Sequence, residues 1–292
     1  MSDSSGFIDV PGGRVWHRVA GIDAGGTPLL LLHGGPGAGH DGFEPLEALA
    51  DERPVVFYDQ LGCGKSDIPD DASLWQVARF VDEVAAVRAA LGFERMHLLG
   101  SSWGGWLAIE YAVANGRGLA SLVLSSTSAS SRQFLEGARR LLTEMPDSIG
   151  ETVERLEAEG KTDSPEYLQA CMAFYKQHLC RLDPWPDPML RSGANVAASA
   201  TYRTMWGPSE FTCTGVLKDW DREADLGRIV VPTLVTRGGY DEMSQDCANT
   251  LVAGIPNAEL HVFENSSHTA HLEETSAYLG VVRDFLRRVD AA

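Results

Sequence analysis

Residues 29–32 are four consecutive leucines, preceded by Pro28 and followed by His33 and two glycines. A strand with one wet face alternates apolar and polar residues. One that is apolar at every position has to be covered on both faces, as in a parallel sheet packed between helices. Pro54–Tyr58 repeats the pattern, and further strands are expected at Met96–Leu99, Leu119–Leu124, Pro232–Arg237 and Glu259–Phe263. Helical spacing separates them. Over residues 74–91, Val77, Phe80, Val81, Val84, Val87 and Leu91 fall on one stripe, and Gly92 is placed to end that helix. Other helices are expected at 103–115, near 244–253 and at 273–289. Phe7–Val10 and Arg14–Ala20, joined by Pro11-Gly12-Gly13, read as an opening hairpin. Strands alternating with helices define an α/β protein with a mostly parallel central sheet flanked by helices.

The rhythm breaks at about residue 129. From there to about 225 the chain is helical in character, with candidate helices at Leu135–Met145, Ile149–Glu159 and Glu166–Leu179, and with Pro184, Pro186 and Pro188 as interruptions. The segment is too rich in Trp, Tyr and Leu for a linker. The expected organisation is a core domain formed by 1–128 and 226–292, with a helical cap domain, 129–225, inserted in it.

At 292 residues, 44% hydrophobic and 22% charged, the chain can bury one large core. Its net charge of −17 repels phosphate backbones, which argues against a nucleic-acid partner; the acidity serves solubility and would favour cationic substrates. The five cysteines, Cys63, Cys171, Cys180, Cys213 and Cys247, are scattered and show no ligand spacing, so neither a metal site nor a disulfide framework is expected. MSDSSGFIDV lacks the basic start and apolar run of a secretory signal, and no stretch approaches the roughly 20 apolar residues of a membrane span. A soluble cytoplasmic monomer without a membrane partner is the expectation.

Gly100-Ser101-Ser102-Trp103-Gly104 fits G-x-S-x-G between an expected strand and an expected helix, the context of a nucleophile elbow. The turn needs small neighbours, supplied by Gly100, Gly104 and Gly105. Its serine, Ser102, projects at a helix N-terminus, where backbone N–H groups favour negative charge. Ser101 sits one residue early, on the strand side. His33-Gly34-Gly35-Pro36-Gly37 follows the first buried strand and offers backbone N–H groups to a reacting carbonyl. Gly35 is the first expected oxyanion donor and Trp103, just after the nucleophile, the second. The acid and base should follow in the order Ser, Asp/Glu, His. Asp241 stands just beyond the strand ending at Arg237, and His268 beyond the strand ending at Phe263. In these roles His268 takes the Ser102 proton, and Asp241 fixes the imidazole. His271 is the competing base, expected at the start of the last helix. A serine at the elbow implies an acyl-enzyme ester and excludes enzymes that attack with a carboxylate from this position.

HGGPG at 33–37, DQLGCGKS at 59–66, GSSWGG at 100–105, GGYDE at 238–242 and SSH at 266–268 together resemble the proline iminopeptidase family of α/β-hydrolases. FYKQHLCR at 174–181, MWGPSEF at 205–211 and TGVLKDWD at 214–221 are similar to its tricorn-interacting aminopeptidase branch. The resemblance, running from about residue 14 to the end, implies the α/β-hydrolase fold and a serine aminopeptidase or amidase. Such an enzyme removes the N-terminal residue of short peptides, or hydrolyses amino-acid amides, without metal or organic cofactor. It further implies that Glu210 and Glu242 bind the substrate's free ammonium group. Gly239 stands where the branch commonly has glutamate, and His271 where an apolar or aromatic residue is expected. A carboxylesterase or amidase of specialised metabolism, indifferent to the amine, is the alternative enzyme reading. A fold retained only for binding would need a degraded triad, and all three members are present in order.

Overall fold

The computed structural model describes residues 3–292; Met1 and Ser2 lie outside the described residues. Among the described residues, eight strands form one sheet: β1 (Ser4–Val10), β2 (Gly13–Ala20), β3 (Leu29–Leu32), β4 (Val55–Tyr58), β5 (Met96–Ser101), β6 (Leu119–Ser125), β7 (Thr233–Gly238) and β8 (Ala258–Phe263). Their spatial order is β1-β2-β4-β3-β5-β6-β7-β8. The opening hairpin is antiparallel, β2 joins β4 antiparallel, and every later pairing is parallel.

The leucine run explains itself in this sheet. Leu29 and Leu31 point into one core cluster with Phe43, Leu46 and Phe285, whereas Leu30 and Leu32 point into the other with Phe80, Trp103 and Leu107. Val55 and Phe57 against Val56 and Tyr58 divide in the same way. Each side chain on these strands leaves water, which at roughly 25 cal/mol per Å² makes the inner strands the main apolar contribution to the fold.

Helices α1 (Val77–Ala90) and α2 (Trp103–Asn115) follow β4 and β5. Gly92, at φ +69°, provides the left-handed residue that ends α1. After β6 the chain runs through α3 (Ser131–Thr143), α4 (Ile149–Ala158), α5 (Pro165–His178), α6 (Asp187–Ala198) and α7 (Ala200–Met205) before it returns to β7. The two ends of this excursion are tied together: Ser130 bridges Asp221, Arg222 N–H donates to Ala129 O at 2.8 Å, and Ser131 N–H to Trp220 O at 2.9 Å. Helices α8 (Gln245–Gly254), α9 (Ala270–Glu273) and α10 (Thr275–Asp290) complete the core.

The prolines interrupt the helical segment as expected: α5 ends at His178, Pro184 and Pro186 lie in the non-helical stretch before α6, and Pro188 stands in the first turn of α6, where a missing N–H costs nothing. One sequence expectation needs correction. His271 lies on the separate short helix α9, not on the last helix.

Toward the other end of the strands, Arg53 donates to Asp290 at 2.7 Å, and His97 lies 3.1 Å from the same carboxylate and 2.7 Å from Ser121 Oγ. This serine, histidine and aspartate tie α10 to the sheet; Ser121 and His97 are wholly buried, so no substrate reaches them. Removing the carboxylate would leave the buried Arg53 guanidinium with only Thr27 O, at 3.3 Å, and the more distant Glu52 carboxylate, at 3.8 Å. Asp290→Ala should therefore cost about 2–4 kcal/mol, read as a lower urea midpoint with unchanged slope.

Candidate active site

The elbow is built by close approach. β5 ends at Ser101, and Ser102 takes φ +57° and ψ −125°, a strained conformation held by its surroundings. Ser102 N–H donates to Ser125 O at 3.0 Å, and its carbonyl accepts from Gly105 N–H at 2.8 Å. Any side chain at Gly104 would run into the Leu32 carbonyl, and one at Gly100 into that of Gly104, so both positions need glycine. Ser102 is half-buried and lines a narrow cavity with Gly35, Trp103, Trp106, Phe134, Trp206, Glu210, Leu217 and Met243. Gly35 and Trp103, the two expected oxyanion donors, line the same cavity as Ser102. Trp103 opens α2, so its N–H has no carbonyl behind it within the helix.

Asp241 and His268 come from the loops after β7 and β8. They meet at 2.8 Å between Oδ1 and the imidazole Nδ1. The same Asp241 oxygen accepts from Met243 N–H at 2.9 Å. Burial opposes ionisation of Asp241, but the charge and hydrogen bond of His268 hold its carboxyl below the usual range. Burial alone would lower the His268 pKa. The charges of Asp241 and Glu242, the bond to Asp241 and the charge of Glu210 outweigh it and raise the value to about 9.

Glu242 is 0% exposed, its Oε1 is 3.7 Å from His268 Nδ1, and neither carboxylate oxygen has a hydrogen-bond partner. Burial first, and the charge of Glu210 second, push its pKa well up. Glu210 arrives from the far side, on the segment between α7 and β7, and accepts from Tyr202 Oη at 2.8 Å; burial raises its pKa as well. The wholly buried Glu242 and the half-buried Glu210 both lie near enough to His268 for their charges to raise its pKa.

His271 packs between Phe43, at 5.5 Å, and Tyr278, at 5.8 Å. Burial and the positive charge of His268 drop its pKa to about 3, which keeps it neutral. It lacks the carboxylate partner that His268 has.

Two contributors carry no motif signal of their own. The His178 carbonyl, at the end of α5, accepts N–H groups from both His268, at 3.2 Å, and Glu242, at 3.3 Å. Its Nδ1 donates to Tyr240 O at 2.8 Å. Gln60 joins the 33–37 loop to the elbow. A hint lay in their setting within FYKQHLCR and DQLGCGKS, but the contacts are long-range and leave no periodicity.

Among the described residues no group of three or more His, Cys, Asp or Glu side chains is arranged to hold a metal ion, and no helix is long and apolar enough to cross a membrane.

A mostly parallel sheet with the strained Ser102 between strand and helix, and with a paired aspartate and histidine beyond two later strands, has the architecture of a hydrolase class. In agreement, the family described as alpha/beta hydrolase fold matches residues 27–275. The proline iminopeptidase of Heyndrickxia coagulans is 41% identical over 286 residues, covering 98% of this chain and 99% of the relative. The crystal structure of proline iminopeptidase from Mycobacterium smegmatis superposes with a TM-score of 0.92 at 39% identity, covering 99% of each chain. That of VinJ gives 0.94 at 37% identity, covering 98% of this chain and 99% of the other. The chain belongs to the proline iminopeptidase family of α/β-hydrolases.

Proposed function

We propose that the protein is a serine aminopeptidase that releases the N-terminal residue, proline foremost, from short peptides or amino-acid amides. Ser102 Oγ attacks the first carbonyl carbon while His268 Nε2 takes its proton; Asp241 holds Nδ1–H and stabilises the imidazolium. The oxyanion forms between the N–H groups of Gly35 and Trp103. The imidazolium then protonates the leaving amine, the C–N bond breaks, and an ester to Ser102 remains. Water, deprotonated by His268, hydrolyses that ester.

The observation that carries the specificity is the buried, unpartnered carboxylate of Glu242, opposite Glu210 and beside His268. Such a pair needs a cation, and a substrate's α-ammonium supplies charge-assisted hydrogen bonds to both. Trp106, Phe134, Trp206, Leu217 and Met243 give the cavity apolar walls suited to proline. The relatives' shared name supports the same choice. In this reading residues 129–225 form a cap that carries Glu210 over the core. The enzyme works as a cytoplasmic monomer; its free cysteines fit a reducing setting.

The test compares prolyl and alanyl arylamides with their N-acetyl forms. Turnover of the free amines with little or none of the acetylated ones is expected. Equal rates would remove the amine site and leave the carboxylesterase alternative.

A further inference from the structure

Gln60 bonds to both sides of the oxyanion site without lining the cavity. Its Oε1 accepts from the Trp103 indole N–H at 2.8 Å, and its Nε2 donates to His33 O at 2.9 Å. Its backbone N–H donates to His33 Nε2, also at 2.9 Å. That last bond fixes the tautomer of His33, whose Nδ1–H donates to Gly34 O at 2.9 Å, and burial keeps the ring neutral. Gln60, His33 and Trp103 are each at most 2% exposed. The loop that carries Gln60 is itself anchored, since Glu83 accepts Leu61 N–H at 3.3 Å and pairs with Arg79. Cys63 Sγ also donates to Gln60 O at 3.2 Å.

The two proposed oxyanion donors come from different segments: Gly35 from the loop after β3, Trp103 from the start of α2. No bond joins their N–H groups directly. An oxyanion site works only if both point at one spot before the charge appears there. Gly34 presses on the elbow, where a Cβ would come 3.1 Å from that of Ser102, but that contact limits only how close the segments come. The amide of Gln60 also limits how far they separate and how they rotate, because one planar group is bonded to both.

We propose that Gln60 is a positioning residue that sets the spacing of the Gly35 and Trp103 donors by cross-linking the segments that bear them. This rests on the assignment of Ser102 and its oxyanion site. Gln60 acts on the tetrahedral stage alone and leaves ground-state binding at Glu210 and Glu242 untouched.

Gln60→Met keeps the length of the side chain and removes both side-chain bonds. Losing a donor outright costs about 10²–10³ in kcat, so a mis-set pair should cost roughly tenfold or more. Two readouts should fall together: kcat on prolyl arylamide, and the rate of fluorophosphonate labelling, whose phosphoryl oxygen uses the same donors. KM and inhibition by free proline should stay within about twofold, the pattern of a lost transition-state interaction. Trp103→Phe cuts only the indole arm and serves if the first variant does not fold. It should lower both rates by less, and in the double variant it should add nothing further. Labelling at the parent rate in Gln60→Met, or in Trp103→Phe where that variant stands in, overturns the inference, as does a fall in proline affinity in step with kcat. Continued labelling of a Ser102→Ala variant would instead sink the underlying assignment.

Discussion

Replacing Ser102 by alanine should lower kcat on prolyl arylamide by roughly 10⁶-fold, the scale seen when a serine nucleophile is removed and only the oxyanion site and binding remain. Fluorophosphonate labelling should vanish with it. Folding is not what fails in this variant. Ser102 already holds φ +57° without being glycine, and alanine meets the same backbone strain. Thermal midpoints should therefore stay close together. Ser101→Ala is the informative companion, because Ser101 is the rival nucleophile. It is buried on β5, in register with Ser125, whereas Ser102 reaches the cavity. Activity in Ser101→Ala should stay within a few-fold of the parent. If activity were lost from that variant and kept in Ser102→Ala, the elbow would be assigned to the wrong serine.

How much of this was legible in sequence depended on whether a residue's partners leave a local trace. The strands did, because burial on both faces forces an unbroken apolar run, and the Leu29–Leu32 side chains divide between two cores. The elbow and the 33–37 loop did, because close backbone approach demands glycines at fixed offsets. Helix α6 did not. Met189 is its one buried residue, and the helix is held by polar contacts: Arg191 to Asp41 at 2.7 Å and Asn195 to Ala38 O at 3.0 Å. With Met189 alone in the core, the helix is held mainly by contacts that no apolar stripe announces. The stretch it docks on, Asp41–Asp51, is a 3-10 helix with Pro45 inside, which breaks the α pattern there. At the site, Asp241 and His268 were placed by strand ends and chain order. The bonds of Gln60 to Trp103 and of the His178 carbonyl to two loops span many residues, so the motifs that contain Gln60 and His178 do not say what they touch.

Glu242→Gln should move stability and activity in opposite directions. Glu242 is wholly buried, lacks a hydrogen-bond partner and lies near the charge of Glu210, so its ionised form is costly. The native state therefore keeps the Glu242 proton to higher pH than the unfolded chain, whose glutamates ionise near pH 4.3. Where the native state binds more protons, stability falls as pH rises. Glutamine removes that decline, so the variant's thermal midpoint should exceed the parent's most clearly at neutral pH. Activity runs the other way. If Glu242 holds the substrate's ammonium as proposed, losing that buried charge pair costs about 3 kcal/mol, so kcat/KM on prolyl arylamide should drop roughly 10²-fold, with N-acetyl substrates nearly unaffected. The pH profile follows from the same groups. Amine recognition needs Glu242 ionised and the substrate protonated; in the parent it should fade as acid protonates Glu242 and, on the alkaline side, as the amine itself loses its proton near pH 8. Glu210→Gln should show the same loss toward free amines while keeping an acceptor for Tyr202. If Glu242→Gln lost activity equally on acetylated and free-amine substrates, Glu242 would be serving His268, 3.7 Å away, and the ammonium would have to bind elsewhere.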